Sequence, residues 1–393
     1  CIRDRVSAEA LAAVALGNVV LMSVTSFAFG LLLTIDPLVA QAIGAHDAAA
    51  VRRAVHRGLL IAAVVTVPSM LVLVPVEPVL VLLRQPPEVT PIAAGYVHRC
   101  LPGLLPYFFF VVLRQTLQAM ERLRAILAVV ALANLLNLAL DLALVYGWWG
   151  MPELGPFGSA WATTASRTAL LLGLLVVAWR DLGPLLRRID TEAFRLRPMW
   201  RTIVLGAPIG FQLQLELSAL GVIALLAGGL GAVEMAAHQV AINLASLTFM
   251  VPLGVGSAAA IRVGHAVGRS DSLGARRAAS AALACGGGFM ACAALVFLIF
   301  PDQLAAAYTS DHQVCTLAAI LIPIAGLFQV FDGLQVVAAG ILRGLGDTRA
   351  PMVVTLLGFW MIGIPVSVGA GFGLGLGAPG LWWGLVAGLG AVA

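Results

Sequence analysis

Two carboxylates occupy stretches that are otherwise uncharged. Glu216 stands in "IGFQLQLELSALGVIALLAGG" (209–229) and Asp332 in "IAGLFQVFDGLQVVAAGIL" (324–342). An ionisable group at the centre of a bilayer costs roughly 2.5 kcal/mol or more on insertion scales, so it persists there by holding a proton, pairing with a cation or facing water. No basic residue shares these runs. Amides flank both acids: Gln212 lies four residues before Glu216, and Gln329 and Gln335 lie three residues to either side of Asp332. At helical spacing each set shares a face. A proton or Na⁺ site is the chemistry that such a cluster serves.

Other polar groups fall within apolar runs. Asn134, Asn137 and Asp141 form one stripe at i, i+3 and i+7, with Asp141 near enough to a helix end to snorkel. His238, Gln239 and Asn243 read either as interhelical hydrogen-bonding groups or as a polar pathway. Asp36, before Pro37, reads as solvated at a helix end. Six scattered His and five Cys show no metal or nucleophile–base spacing, so the sequence reads as no enzyme, with no cofactor and no metal beyond a possible Na⁺.

The elements that carry these groups are membrane helices. The 393 residues are 61% hydrophobic and 11% charged, with mean hydropathy +1.01; soluble domains carry about 25% charged residues. Eleven apolar spans are expected, at approximately 10–35, 58–83, 96–120, 125–147, 157–179, 203–229, 234–262, 278–308, 314–342, 350–376 and 379–393. Prolines such as Pro208, Pro252, Pro323 and Pro365 interrupt several of them, which lipid tolerates where neighbours satisfy the freed backbone.

All 23 basic residues are Arg, and sixteen fall in alternate connections: Arg52, Arg53, Arg57; Arg122, Arg124; six within 180–201; Arg269, Arg276, Arg277; Arg343, Arg349. The other connections carry Arg3, Arg5, Arg84 and Arg99. The positive-inside rule puts the Arg-rich side in the cytoplasm. The net charge of +4 is therefore topology and no nucleic-acid signal.

The chain also repeats. "QAIGAHDAAAVRRAV" (41–55) resembles "HAVGRSDSLGARRAA" (265–279), and "EALAAVALGN" (9–18) resembles "EMAAHQVAIN" (234–243). The offsets, 224 and 225, imply a parallel repeat about an axis along the membrane normal. The expected organisation is an N-terminal bundle 1–179 with five helices, a cytoplasmic linker 180–202, and a C-terminal bundle 203–393. The unmatched span, 203–229, suggests a twelve-helix protein whose first helix precedes Cys1 and whose last helix is clipped.

Several stretches resemble the multidrug and toxic compound extrusion (MATE) transporters, in their NorM-like bacterial branch: "LVAQAIGA" (38–45), "YGWWGMPELGPFGSAWAT" (146–163), "EMAAHQVAINLASLTFMVPLGVGSAAAIRVGHAVG" (234–268), "GILRGLGDTRAPM" (340–352) and "GLWWGLVAGL" (380–389). The resemblance implies an all-α polytopic membrane protein with two six-helix bundles in a V. It implies a monomeric antiporter of the bacterial cytoplasmic (inner) membrane, exporting cationic or amphipathic small molecules in exchange for Na⁺ or H⁺. The family's acidic pair in the second bundle falls on Glu216 and Asp332. Its proposed first-bundle site falls on Asn137 and Asp141, without the Asp that the family carries on its first helix. Gln212, Gln239, Asn243, Gln329 and His238 are the weaker candidates for a substrate pathway. The alternative is a lipid-linked precursor flippase of the same superfamily, which should line its cavity with basic residues; only Arg114, Arg167 and Arg262 lie in or at the ends of spans.

The orientation is testable by thiol labelling of intact cells. In a cysteine-free background, Ala48→Cys and Glu192→Cys should resist an impermeant reagent, and Glu153→Cys and Asp311→Cys should react. Labelling of Glu192→Cys from outside would reverse the topology.

Overall fold

The computed structural model describes residues 8–188 and 190–392, and every regular element among them is helical. Arg3 and Arg5 lie outside the described residues. The helices are α1 (Ala8–Leu32), α2 (Ile35–Gly44), α3 (Ala48–Leu73), α4 (Val76–Leu82), α5 (Thr90–Cys100), α6 (Leu104–Ala119), α7 (Leu123–Tyr146), α8 (Pro156–Val177) and α9 (Trp179–Leu186). They continue as α10 (Leu196–Leu230), α11 (Ala232–Gly268), α12 (Ser272–Ile299), α13 (Pro301–Ala306), α14 (His312–Leu345), α15 (Arg349–Thr355), α16 (Ile364–Val368) and α17 (Gly377–Gly390). Wider π-helical turns at Leu356–Gly363 and Gly369–Gly373 make 349–373 one continuous rod. Among the described residues, ten helical stretches are long and apolar enough to cross a membrane; α17, the eleventh expected span, has 14 residues in its helix.

Three spans begin several residues earlier than expected and take in arginines; one is 203–229, which starts at Leu196 and includes Arg197 and Arg201. The expected span 58–83 begins ten residues earlier, because Asp47 caps α3 by accepting a hydrogen bond from the Ala50 N–H at 2.8 Å. The span 278–308 begins at Ser272, because Asp271 accepts from the Gly274 N–H at 2.7 Å. Arg52, Arg53, Arg276 and Arg277 are therefore on the first turns of helices, where a run-of-hydrophobicity reading stops short.

These caps also carry the repeat into three dimensions. Asp47 and Asp271, 224 apart, have nearly the same backbone (φ −96, ψ 86; φ −94, ψ 88). Each follows a residue in the left-handed region, His46 (φ 56) and Ser270 (φ 58). The segment from Ala8 to Gly44 corresponds at the same offset to α11, Ala232 to Gly268. The first copy breaks after Leu32, ahead of Asp36-Pro37, whereas the second runs unbroken through Pro252. Helix α10 has no counterpart among the described residues.

Contacts divide the chain into two compact units. One comprises residues 1–39 and 47–210, the other 40–46 and 211–393. In the first, Tyr96, Phe108, Leu104 and Leu80 are fully buried. The first part of α10 lies against α1: a Cβ on Gly210 would meet the Phe27 carbonyl at 2.6 Å. Downstream of α9, Asp190 takes Arg52 at 3.3 Å and Arg53 at 3.7 Å, with Ala193 fully buried beneath. Desolvation pushes the Asp190 carboxyl up, but the Glu192 backbone N–H and the guanidiniums of Arg52 and Arg53 outweigh it and hold the group below its ordinary value.

In the second unit, α11 and α14 pack backbone to backbone. A Cβ on Gly340 would overlap the Gly256 carbonyl oxygen, and one on Gly344 would stand 2.7 Å from that of Ala260. Small residues four apart on both helices permit this approach, as they do where helices pack in lipid. Gly340→Ala should therefore destabilise by about 1–3 kcal/mol, the usual cost of overpacking, and lower the melting temperature in detergent. Gly254→Ala, on the same α11 but with nothing within 4 Å of the added methyl, should hold or raise it, since Ala exceeds Gly in helix propensity by about 1 kcal/mol. Equal melting temperatures for the two variants would contradict this packing.

Candidate ion and substrate site

The second unit brings the expected polar residues of α10 and α14 into one electrostatic neighbourhood. The charge of Glu216 acts directly on Asp332, and Arg343 acts on Glu216. Glu216 lies fourteen residues from the Leu230 end of α10, about 21 Å at 1.5 Å per residue. Asp332 lies thirteen residues from the Leu345 end of α14, about 20 Å. Both carboxylates are half-buried: packed around, yet with accessible surface. One expectation is refined. The runs around the acids hold no arginine, but α14 continues past them to Leu345 and carries Arg343 in its last turn, with Nε donating to the Ala339 carbonyl at 3.2 Å.

The flanking amides are held by neighbours. Gln329 is 1% exposed, and its Oε1 accepts a short hydrogen bond from the Thr248 hydroxyl of α11. Gln335 Nε2 donates to Thr355 Oγ1 at 2.9 Å, tying α14 to α15. Gln212 is buried on α10. Trp360 donates from Nε1 to the Leu215 carbonyl at 3.0 Å, in the turn that presents Glu216. Sequence reasoning missed Thr248, Trp360 and Thr355, for a physical reason. A hydroxyl or an indole N–H in an apolar run is ordinary, and its partner is set by which helices become neighbours.

The polar group on α11 separates. His238 is 2% exposed and packs against Trp382 at 5.7 Å between ring centroids, with Phe328 edge-on to that Trp at 5.7 Å. Gln239 and Asn243 lie on an exposed face, where Gln239 Nε2 donates to Asn243 Oδ1 at 3.1 Å. His238 and the Gln239–Asn243 pair therefore do not act as one cluster.

In the first unit, Asn137 and Asp141 are both half-buried on α7. The Ser159 hydroxyl of α8 lies beside the Asp141 carboxylate. Asp36 departs from the solvated position expected of it. It is 5% exposed, and Oδ2 accepts from Gln115 Nε2 of α6 at 2.9 Å. The break before α2 turns this helix end into the interior, so the acid is sealed against α6.

The sequence profile of the MatE family matches residues 3–143 and 208–368, both halves of the repeat. The chain belongs to the MatE family. Family relatives include the probable multidrug resistance protein NorM of Rhizobium meliloti (strain 1021), 38% identical over 398 residues, covering 99% of this chain and 85% of the relative. The multidrug resistance protein MdtK of Pectobacterium atrosepticum is 33% identical over 398 residues, covering 98% and 86%. The fold is that of the eukaryotic MATE transporter AtDTX14, with a TM-score of 0.85 over 98% of this chain and 85% of that one, at 24% identity. Membership places the chain among multi-pass membrane transporters and outside the enzymes.

The Thr248–Gln329 bond gives a paired test. Thr248→Val leaves the buried Gln329 without its donor, and stranding a buried polar partner costs about 1–3 kcal/mol. Replacing both partners with apolar groups can be nearly neutral. Thr248→Val should lower the melting temperature of the purified protein, and Thr248→Val with Gln329→Leu should recover most of the loss. Additive losses in the double variant would show that the bond does not stabilise the α11–α14 pair.

Proposed function

We propose that this chain is a cation-coupled antiporter that exports cationic or amphipathic small molecules, with Glu216 and Asp332 as the site where Na⁺ or H⁺ and substrate exclude one another. The observation that carries this reading is the carboxylate pair deep in two membrane helices, the charge of one acting on the other. Two like charges in one apolar site are costly together, and a proton, a Na⁺ or a cationic substrate each relieves that cost. Occupancy by one disfavours the others. A ligand that binds one conformation better shifts the balance between inward-open and outward-open states. The names of the NorM and MdtK relatives, multidrug resistance proteins, support export of drugs.

Gln212, Gln329 and the exposed Gln239–Asn243 pair are the weaker members of the substrate path, and His238, buried against Trp382, stands apart from them. Asn137 and Asp141, with Ser159 beside the acid, form a second, smaller ion site in the first unit. The protein acts as a monomer in the bacterial cytoplasmic membrane. The flippase reading finds less support: Arg167 lies over the Tyr107 ring at 5.1 Å and Arg114 over Phe29 at 5.9 Å, so aromatic faces already engage these span arginines.

Transport of a fluorescent cation into vesicles, driven separately by a Na⁺ gradient and a proton gradient, tests the proposal. Glu216→Gln and Asp332→Asn should each lower gradient-driven transport by about ten-fold or more, since each removes one of the two charges that hold the coupling ion and about 1.4 kcal/mol of lost binding is already ten-fold. Both should insert normally and melt no lower than the parent. Parent rates in both variants would remove the pair from the coupling site.

A further inference from the structure

The two copies of the repeat treat their paired arginines differently. Arg52 and Arg53 on α3 correspond at offset 224 to Arg276 and Arg277 on α12. In the first copy the chain supplies anions. Arg53 meets Asp47 at 3.7 Å, Asp190 at 3.7 Å and Glu192 at 3.9 Å, and Arg52 meets Asp190 at 3.3 Å. Among the described residues, no carboxylate forms an ion pair with Arg276 or Arg277. The second copy also gains positive charge, because Arg262 and Arg269 stand where the first has Leu38 and Ala45.

Arg262, Arg269 and Arg277 converge on one groove between α11 and α12, with a volume of about 630 Å³. All three are exposed. One acid, Asp271, also lines the groove, and its Oδ1 is committed to the Gly274 N–H that caps α12. Three guanidiniums against one capping carboxylate leave the groove cationic.

Its shape separates a lipid from a free anion. The arginines sit at or within two turns of the helix ends, but the groove continues inward to Val255 and Cys285. Cys285 lies fourteen residues beyond Asp271, about 21 Å at 1.5 Å per residue. Val255 lies thirteen residues from the Gly268 end of α11, about 20 Å. The inner part is lined by Val, Ala and Cys. A cationic mouth at the interface above an apolar channel fits a phosphate headgroup above an acyl chain, and basic pockets between membrane helices hold anionic lipids in this way.

We propose that the α11–α12 groove binds an anionic phospholipid of the adjoining leaflet, its phosphate among Arg262, Arg269 and Arg277 and one acyl chain along Val255 and Cys285. For Arg277 the lipid does in the second copy what Asp190 and Glu192 do for Arg53 in the first: it supplies the anion.

Quenching of a fluorophore in the groove tests this. The full chain, with Cys285 as its one cysteine, is labelled with bimane and reconstituted into phosphatidylcholine vesicles containing brominated phosphatidylglycerol or brominated phosphatidylcholine. Phosphatidylglycerol should be preferred at Cys285 by about ten-fold, at roughly 1 kcal/mol per arginine with part lost to solvent. Arg262→Gln with Arg277→Gln should bring the preference close to one, and the Arg→Lys pair should keep it. A label at Cys292, farther along α12, should show no preference. Millimolar inorganic phosphate should leave the preference intact. Equal quenching by the two lipids at Cys285, the same preference at Cys292, or a preference that survives in the Gln pair would overturn the proposal; loss of preference to inorganic phosphate would reassign the groove to a free anion. Should the Gln pair fail to reconstitute, the contrast between the single-cysteine proteins labelled at Cys285 and at Cys292, with all arginines in place, decides the matter.

Discussion

A carboxylate set some 20 Å from the end of a membrane helix must be compensated, and its surroundings are arranged around that need. On the helices that carry Glu216 and Asp332, the amides flanking Asp332 pair with the hydroxyls of Thr248 and Thr355, the Trp360 indole N–H holds the Leu215 carbonyl, and Arg343 of α14 acts on Glu216. A permanent salt bridge would satisfy the charge once and close the site. Two like charges that act on each other keep their compensation exchangeable, which is what an antiporter needs from the group that binds its driving ion.

Exchangeable charge requires a scaffold that does not collapse around it. That scaffold is the backbone contact of α11 and α14 through Gly256, Ala260, Gly340 and Gly344. Lipid outside is as apolar as the side chains inside, so close packing and interhelical hydrogen bonds replace the hydrophobic drive. The Thr248–Gln329 and Gln335–Thr355 bonds run from the same α14 to α11 and α15. Trp360, in the π-helical turns, ties that rod to the carbonyl beside Glu216. Wide turns there set an indole where a regular helix would aim it elsewhere, and π-turns often mark functional positions.

Much of this was legible in the chain. Long uncharged runs gave the helices, and the acids stood out because membranes make such residues costly. The offset of 224 aligned Asp47 with Asp271, and both cap their helices in the same way, since cap chemistry is local. The errors have a common source. Helix starts were placed after the arginines, because hydropathy cannot see a cap. Asp36 read as solvated because its burial depends on Gln115, 79 residues away. Gln239 and Asn243 could not be told from His238 because a polar residue in a membrane helix does not announce which neighbour its face will meet. Thr248 and Trp360 carried no signal at all until α11, α14 and α10 were neighbours.

The central claim is that one carboxylate pair serves both coupling ion and substrate. Equilibrium binding of a fluorescent lipophilic cation to the purified protein, by polarisation across a grid of pH and Na⁺ concentration, tests it most directly. With one-for-one exchange, linkage makes the apparent Kd rise about ten-fold for each ten-fold increase in the competing ion. That slope should vanish when Glu216→Gln and Asp332→Asn are combined. An affinity in the parent that is flat in both proton and Na⁺ concentration, or a slope unchanged in the double variant, would contradict the account.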